Sequence, residues 1–322
     1  MNVLIPNIGR RGYLVRYLKK SYDFHGKVFV SDCDSTASGL YGDNDGAFIL
    51  SRPVDDEKKY VGLLHDLCVD NNIDVVIPVI DTEVFILSKY RDLFEKDSVF
   101  VSVSSNKVLD ICYNKIAMND FLETNGFEIP KTYDNISQFE KDINDKRIRF
   151  PAIIKPIYGS GSEATYRVYS IEETKAMFRE GMIIQEFIDG QEYGVDVFNN
   201  LEGIPIRCVV KRKISMRSGE TDKAETVMDE TIKNLMILLG ERLGHICNLD
   251  CDLISRGGRF YIIDLNPRFG GGYPATHEAG VNLLELVVKL SEGLIIDPDF
   301  GYKPGVYTMK EILPITTERL VI

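Results

Sequence analysis

The sequence predicts a mixed α/β and α+β fold, with an N-terminal Rossmann-like parallel sheet followed by a largely antiparallel region. Short apolar runs alternate with helix-like spacing over roughly the first hundred residues, which is typical of a doubly wound sheet. Further along, a strand, a glycine turn and a second strand indicate a hairpin. The 322 residues, 44% of them hydrophobic, are enough for two or three packed units.

The N-terminal elements follow from the apolar runs and the spacing between them. Runs at 2–6, 27–32, 74–80 and 99–103 predict strands, and the spacing predicts helices over 13–20 and 82–91. The segment 9–12, Gly-Arg-Arg-Gly, joins the first strand to the first helix without the G-x-G-x-x-G spacing of a dinucleotide site. We interpret it as a tight turn, with an anion site at the helix N-terminus as the alternative.

The pattern changes near residue 107. Helices are predicted over 114–125, 171–180 and about 225–243. Strands are predicted at 150–156, 166–169, 182–188 and 191–198. From there the chain is expected to be mainly antiparallel sheet.

Composition excludes several classes of function. The formal net charge of −11 and the pI near 5.0 argue against a nucleic-acid partner, because neutralising phosphates requires clustered lysine and arginine. No apolar run approaches the roughly 20 residues that span a bilayer, and no secretory leader is evident. Six scattered cysteines fit no zinc or disulfide pattern. These observations predict a cytoplasmic protein that does not act at a membrane.

The most informative segment is the predicted hairpin 247–266, whose turn is 256–259. Asp250 and Asp252 share one face of its first strand, and Asp264 and Asn266 share one face of the second. Carboxylate and amide oxygens suit Mg²⁺ that also holds substrate phosphates. The alternative is a solvated hairpin face, but the flanking residues are too apolar for a face turned fully to water.

A second motif complements the acidic hairpin. Lys155 ends an apolar strand just before a loop of small residues, Gly159, Ser160, Gly161 and Ser162. Backbone N–H groups of such a loop can cradle phosphate oxygens, and the lysine supplies a positive charge. The order is not that of a P-loop, because the lysine precedes the glycines. Together, the lysine, the loop and the carboxylates are what a magnesium nucleoside triphosphate requires.

In the order and type of these motifs the chain resembles the ATP-grasp superfamily, along essentially its whole length. The N-terminal hundred residues then correspond to the family's pre-ATP-grasp domain, and a two-lobed ATP-grasp domain follows. The resemblance implies a pre-ATP-grasp domain at 1–107, a lid subdomain at 108–184 and a C-terminal subdomain at 185–322. Residues 77–83 and 264–272 are most similar to one ATP-grasp half of the carbamoyl-phosphate synthase large subunit, although the chain holds only one such unit.

The resemblance also implies roles for individual residues. Those that would bind ATP are Lys115 and Lys155, the loop Gly159, Ser160, Gly161 and Ser162, the hinge Gln185, Glu186, Phe187 and Ile188, and the ribose-binding Glu192. The implied metal ligands are Asp264, Asn266 and one of Asp250 and Asp252. Arg268 matches the arginine that contacts phosphate or the acyl intermediate.

A basic segment at 211–220 has two interpretations, a solvated loop or a loop that holds the acyl carboxylate and γ-phosphate. In the second, Lys211 and Arg217 are the best candidates for a catalytic role. Tyr273 and His277 follow the glycine tract and are candidates for contact with the acceptor, although a lone histidine is more often structural.

The function that the resemblance implies is ATP-dependent ligation of a small-molecule carboxylate to an amine. It would proceed through an acyl phosphate, release ADP and phosphate, and use Mg²⁺, with Mn²⁺ as an alternative. Two other hypotheses stay open: a carbamoyl-phosphate-synthase-like subunit that acts with partner chains, and a nucleotide-binding regulator without catalysis. The sequence does not identify the acid or the amine, and it leaves a homodimer open.

Overall fold

The computed structural model describes residues 1–159 and 164–322 and has the predicted mixed architecture. Its strands are β1 (Val3–Ile5), β2 (Val28–Asp32), β3 (Gly46–Ile49), β4 (Val75–Val76), β5 (Phe100–Val101), β6 (Thr132–Tyr133), β7 (Ala152–Pro156), β8 (Tyr166–Val168), β9 (Met182–Glu186), β10 (Gln191–Asn199), β11 (Pro205–Arg217), β12 (Glu220–Thr226), β13 (Cys247–Arg256), β14 (Arg259–Asn266) and β15 (Tyr307–Met309).

Its helices are α1 (Tyr13–Lys19), α2 (Glu57–Asp70), α3 (Asp81–Lys89), α4 (Arg91–Lys96), α5 (Asn106–Tyr113), α6 (Lys115–Thr124), α7 (Ile136–Asn144), α8 (Ile171–Met177), α9 (Glu230–Leu243), α10 (Tyr273–Glu278) and α11 (Leu283–Ser291). A 3₁₀ turn at Ser38–Tyr41 lies between β2 and β3.

The N-terminal sheet is parallel, in the order β3-β2-β1-β4-β5. Successive side chains of a strand point to opposite faces, so Val3 and Ile5 enter one apolar core and Leu4 enters the other. Both faces are therefore covered, as parallel sheets require. The core that contains Val3 also includes residues of α10 and α11, which joins the N-terminal sheet to the C-terminal part of the chain.

Two antiparallel sheets form the rest of the fold. The larger has the order β14-β13-β10-β11-β12-β15, and the smaller has the order β6-β9-β7-β8. One face of the large sheet packs on α5, α6 and α9 around Val195, Met118 and Met236. The small sheet packs on α7 and α8 around Phe139. Strand β9 of the small sheet leads into β10 of the large one through residues 187–190, and residues of both sheets line one cavity near that connection.

Three predicted helices differ from the structure. The helix expected over 171–180 ends at Met177, because Phe178 has an extended backbone (φ −68°, ψ 134°). The helix expected from about residue 225 begins at Glu230, because residues 220–226 pair with β11 and the Asp229 carboxylate accepts the N–H groups of Thr231 and Ile232. The helix expected over 82–91 is divided into α3 and α4, because Tyr90 leaves the helical region of backbone dihedrals (φ −110°, ψ 12°).

Within residues 1–159 and 164–322, none of the helices combines the length and the apolar content that crossing a membrane would require. The domain bounds at 107 and 184 stay a prediction.

Candidate active site

A cavity of about 360 Å³ lies between the small sheet and the acidic hairpin β13–β14. Ten residues with predicted site roles line it: Lys115, Lys155, Gly159, Gln185, Glu186, Phe187, Ile188, Glu192, Asp252 and Asp264. They come from α6, β7 and the segment after it, β9 and the β9–β10 connection, β10, β13 and β14. The fold therefore collects into one cavity residues that the sequence places far apart. Ser160, Gly161 and Ser162 lie outside the described residues.

Two lysines form the cationic end of this cavity. Lys115, at the start of α6, donates from Nζ to the carbonyl oxygen of Gly159 at 2.6 Å and lies 4.0 Å from Oδ1 of Asp264. Lys155, near the end of β7, reaches the carbonyl oxygen of Ile263 at 3.5 Å. Burial lowers the pKa of Lys155 to about 8, against the opposing effect of Asp264. Both lysines adjoin the start of the glycine loop, where a bound triphosphate would need positive charge.

The opposite end is formed by the connection from β9 to β10. The Gln185 amide donates to the hydroxyl of Thr132 at 3.0 Å, and the backbone N–H of Glu186 donates to Lys131. The guanidinium of Arg167 stacks on the Phe187 ring, 3.6 Å from its centroid. These contacts fix the backbone of the predicted adenine-binding hinge, and Glu192 lines the cavity just beyond it.

The acidic hairpin turns one polar face toward the cavity. In the β13–β14 register Asp252 lies opposite Asp264, and Asp250 lies opposite Asn266. Cations neutralise this face: Lys213 Nζ lies 2.6 Å from Asp252 Oδ1, and Arg268 Nη1 lies 3.2 Å from Asp250 Oδ2. The solvated-face alternative is wrong, because the four side chains are largely withdrawn from water.

The two candidate aspartates of β13 have different surroundings. Asp252 lines the large cavity, whereas Asp250 lies beside Arg268 and does not line it. Burial and the charge of Asp252 raise the pKa of Asp250 to about 6. Asn266 lines a smaller adjoining cavity with Asp264 and Gly159.

The donor set fits Mg²⁺ held jointly with phosphate. In residues 1–159 and 164–322, no cluster of three or more His, Cys, Asp or Glu side chains is arranged to hold a metal on its own. Mg²⁺ is usually bound by one or two carboxylates, with water and substrate phosphates as its other ligands. Asp264 with Asp252 supplies such a pair, and Asn266 adds a neutral oxygen. Asp252 is the better placed of the two β13 candidates; the metal role of all four residues stays a prediction.

Gly194 of β10 leaves space for the Lys213 side chain, which reaches the acidic face at Asp252. A Cβ at this position would lie 3.3 Å from the Cε of Lys213 and 3.8 Å from that of Lys211. Both lysines extend over the glycine from β11. Lys213 had no predicted role, although its position two residues after Lys211 places both on one strand face.

The predicted catalytic lysine and arginine of β11 differ in surroundings from the cavity residues. Lys211 is buried and forms an ion pair with Asp196, which also accepts the hydroxyl of Thr276. Arg217, near the β11–β12 turn, is about half exposed and lies 3.5 Å from Asp222. The structure does not bring either residue to the lining of the large cavity. Their catalytic roles stay predictions.

Arg268 is held by carboxylates from two parts of the chain. Its Nε and Nη2 donate to the two oxygens of Asp81 at 3.1 and 3.3 Å, and Nη1 donates to Asp250. Such a bidentate contact fixes the orientation of the guanidinium. Asp81 is the first residue of α3, which follows β4 of the N-terminal sheet. It had no predicted site role. The signal for it was the family likeness of residues 77–83.

Tyr273 and His277 lie on α10, next to the glycine tract. Tyr273 is fully buried, and the His277 ring stacks on Tyr17 of α1 with centroids 3.7 Å apart.

Arg11 of the 9–12 turn donates hydrogen bonds to the carbonyl oxygen of Val79 and to the carboxylate of Glu220. The tight-turn interpretation of 9–12 agrees with these intramolecular contacts.

Comparison with known proteins identifies the family. A family model for the ATP-grasp domain matches residues 112–272, half of the chain, and one for a PylC-like N-terminal domain matches residues 3–102. The chain belongs to the ATP-grasp family. The predicted fold is confirmed, and so is the predicted class of enzyme, an ATP-grasp ligase that produces ADP, at the level of the family.

Curated relatives and solved structures agree with this assignment. A carbamoyl-phosphate synthase of Methanobrevibacter smithii is 23% identical over 287 residues, which cover 83% of this chain and 75% of that protein. The carbamoyl phosphate synthase large chain of Clostridium beijerinckii is 24% identical over 69% of this chain, but only 22% of that protein is matched. The biotin carboxylase of Campylobacter jejuni, solved with β,γ-ATP, superposes with a TM-score of 0.75 at 15% identity, covering 95% of this chain and 74% of that one.

The depressed pKa of Lys155 predicts a pH-dependent stability. Between about pH 8 and pH 10.5 the unfolded chain holds the Lys155 proton while the folded chain releases it, so the free energy of unfolding rises with pH in this window. We expect the wild type to gain about 2 kcal/mol over Lys155→Met across the window, allowing for partial solvent access. Chemical denaturation at a series of pH values measures the difference. The exposed Lys58→Met is the control, and a constant difference between wild type and Lys155→Met would contradict the prediction.

Gly270 is predicted to be essential to the acidic face. A Cβ at this position would lie 1.9 Å from Oδ2 of Asp250, so Gly270→Ala must displace the carboxylate and weaken its pairing with Arg268. We expect a loss of about 1–3 kcal/mol in the free energy of unfolding. Gly62→Ala in α2 is the matched control, since its Cβ meets nothing within 4 Å and should stabilise the helix by about 0.5–1 kcal/mol. Equal stability of the two variants would refute this role for Gly270.

Proposed function

We propose that this protein joins a small-molecule carboxylic acid to an amine, with ATP activating the acid as an acyl phosphate. The observation that carries the proposal is the single cavity that presents Lys115 and Lys155, the hinge residues and the acidic pair Asp252 and Asp264 together. A carboxylate and a triphosphate are both negatively charged and repel each other. A site in which the two react must therefore surround both with positive charge.

In the first step, an oxygen of the acid attacks the γ-phosphorus of ATP, and ADP leaves with the electron pair of the broken P–O bond. In the second, the amine nitrogen attacks the acyl carbon, the C–O bond to phosphate breaks, and inorganic phosphate leaves. The extra proton on nitrogen passes to solvent or to a nearby carboxylate. Bound Mg²⁺ would neutralise the phosphate charge.

The residues of the chain would position the substrates and supply charge that stabilises the reacting groups. Lys115 and Lys155 would hold the β- and γ-phosphates, the 185–188 connection would hold adenine, and Glu192 would bind the ribose hydroxyls. Arg268, fixed by Asp81 and Asp250, would stabilise negative charge that develops on the acyl group. Positioning of this kind can supply roughly 7–11 kcal/mol of the barrier. The presence of Lys155, Arg268 and both Asp264 and Asn266 favours catalysis, because a regulator that only binds nucleotide would not need the candidate metal ligands together with the arginine.

Asp264 provides the test. We expect the full chain with Mg²⁺ and ATP to release ADP and phosphate when a suitable acid and amine are both present. Asp264→Asn keeps the size of the side chain and removes its charge, so turnover should fall at least about a hundredfold. Phosphate release over a panel of acids paired with amines is the measurement, with the exposed Asp66→Asn as control. Production of AMP and pyrophosphate, or full turnover by Asp264→Asn, would reject the proposal.

A second candidate follows from the 23–24% identity to carbamoyl-phosphate synthases. The chain would then work as one ATP-grasp unit with partner chains, and bicarbonate would be the acid that is activated. Bicarbonate-dependent ATP hydrolysis by the chain alone favours this candidate. Phosphate release that ignores bicarbonate but requires one particular organic acid favours the first.

A further inference from the structure

A buried hydrogen-bond network adjoins the segment that carries Arg268. Its centre is Asp196 of β10, whose side chain is fully withdrawn from water. Oδ2 of Asp196 accepts hydrogen bonds from the ammonium of Lys211 and the hydroxyl of Thr276. Oδ1 accepts a hydrogen bond from Nδ2 of Asn248 at 3.1 Å. One carboxylate therefore links the strands β10, β11 and β13 to helix α10.

Asn248 connects this network to the backbone of Arg268. An asparagine amide has two N–H donors, and Nδ2 of Asn248 donates both to Asp196 and to the carbonyl oxygen of Arg268, each at 3.1 Å. A carboxylate and a carbonyl only accept, so the amide can bind these two neighbours only through its nitrogen. Its Oδ1 is buried and has no hydrogen-bond partner among the described residues. The side chain thus serves as a donor that bridges two acceptors.

The buried pair of Lys211 and Asp196 is better explained by position than by stability. The two side chains are 1% and 0% exposed, and removing both charges from water opposes their mutual attraction, so such a pair adds little stability. Neither residue lines the large cavity. The pair instead gives Asn248 a charged acceptor in a fixed place, and a hydrogen bond to a charged group is stronger than one between neutral groups.

Arg268 is therefore held at both its side chain and its backbone. Asp81 and Asp250 bind the guanidinium, and Asn248 binds the carbonyl oxygen. Arg268 lies beyond the end of β14, where strand pairing no longer fixes the backbone. The contact with Asn248 takes over that task for the residue whose side chain must be aimed.

We propose that Asn248 is a positioning residue for the ligase reaction, because it fixes the backbone of Arg268 against the buried pair of Asp196 and Lys211. The inference rests on the proposed function, in which the Arg268 guanidinium stabilises charge that develops on the acyl group. It also gives Lys211 a role in that function. The lysine acts through Asp196 and Asn248, without touching a substrate.

The first experiment removes the bridge. Asn248→Leu keeps the approximate size of the side chain and loses both donors. We expect kcat to fall about a hundredfold, the loss that a displacement of about 1 Å near the reacting atoms causes. The KM for ATP and the thermal shift produced by MgADP should stay unchanged, because Asn248 does not line the large cavity. Phosphate release is measured on the full chain with Mg²⁺, ATP and the acid–amine pair that gives the wild type its highest turnover.

Asn199→Leu is the matched control for a purely structural loss. Asn199 is also a buried asparagine of the large sheet, and its amide donates to the carbonyl oxygens of Gly203 and Gly240, both at 2.9 Å. It does not line the large cavity. Both leucine variants should have lower thermal midpoints than the wild type, but only Asn248→Leu should have a lower kcat. An unchanged kcat in Asn248→Leu, or an equal loss in Asn199→Leu, overturns the inference. If Asn248→Leu does not fold, Asn248→Ser, which keeps one donor, takes its place with the same criteria.

A double-mutant cycle tests whether Asn248 acts through Arg268. Arg268→Lys keeps the positive charge and loses the planar, two-pronged contact of the guanidinium. Residues that act as a unit have non-additive effects, so Asn248→Leu should lower kcat by about threefold or less in the Arg268→Lys background. Single-turnover measurements with enzyme in excess give the rates. A further loss of about a hundredfold in that background would show that Asn248 acts by another route, and would overturn the inference.

The inference and the proposed function fail in different ways. If the wild type releases no phosphate with any acid–amine pair, the proposed function fails and the positioning role fails with it. If the wild type and Asn248→Leu turn over equally, only the role of Asn248 is removed.

Discussion

The structure depends on neutralising one buried acidic surface. Hairpin β13–β14 presents Asp250, Asp252 and Asp264 on a single face, largely away from water. Buried carboxylates are tolerable only when cations and hydrogen bonds replace their hydration. Each aspartate has its own cation: Arg268 for Asp250, Lys213 for Asp252 and Lys115, at 4.0 Å, for Asp264. The loosest of the three pairings belongs to the aspartate that faces both cavities, which is where a metal and phosphates would enter.

This constraint explains why distant parts of the chain meet at the hairpin. Lys213 comes from β11, across β10 from the hairpin, and Lys115 comes from α6. Arg268 is oriented by Asp81, which begins α3 of the N-terminal region. Gly194 and Gly270 leave the space that these side chains occupy. At Gly270 glycine is required by the packing of the Asp250 carboxylate, and at Gly194 a Cβ would crowd the Lys213 side chain; neither position needs a left-handed backbone. The charge pairing thus fixes the position of the N-terminal sheet relative to the ATP-binding region.

How far the sequence predicts this arrangement depends on the range of each interaction. Strand alternation is local, so the hairpin, the shared face of Asp250 and Asp252 and the parallel N-terminal sheet follow from the residues themselves. The start of α9 was misplaced because only the pairing with β11 shows that residues 225 and 226 belong to a strand. The partners Lys213 and Asp81 were missed because their roles exist only after β11 and α3 are placed against the hairpin. The predicted ATP-binding residues came from the family resemblance, because no local sequence pattern identifies them as a group.

The same charge logic separates the two halves of the catalytic region. In the large cavity, Lys115 lies 4.0 Å from the Asp264 carboxylate, and Lys155 reaches only the carbonyl oxygen of Ile263. Under the proposed function, the negative charge of a triphosphate would neutralise both lysines. Arg268 differs, because the carboxylates of Asp81 and Asp250 already pair with its guanidinium. A cation that is paired on two sides keeps its orientation but has less charge left to attract a further anion. Under the proposed function, the two lysines would therefore attract the triphosphate, and Arg268 would act mainly through its fixed position.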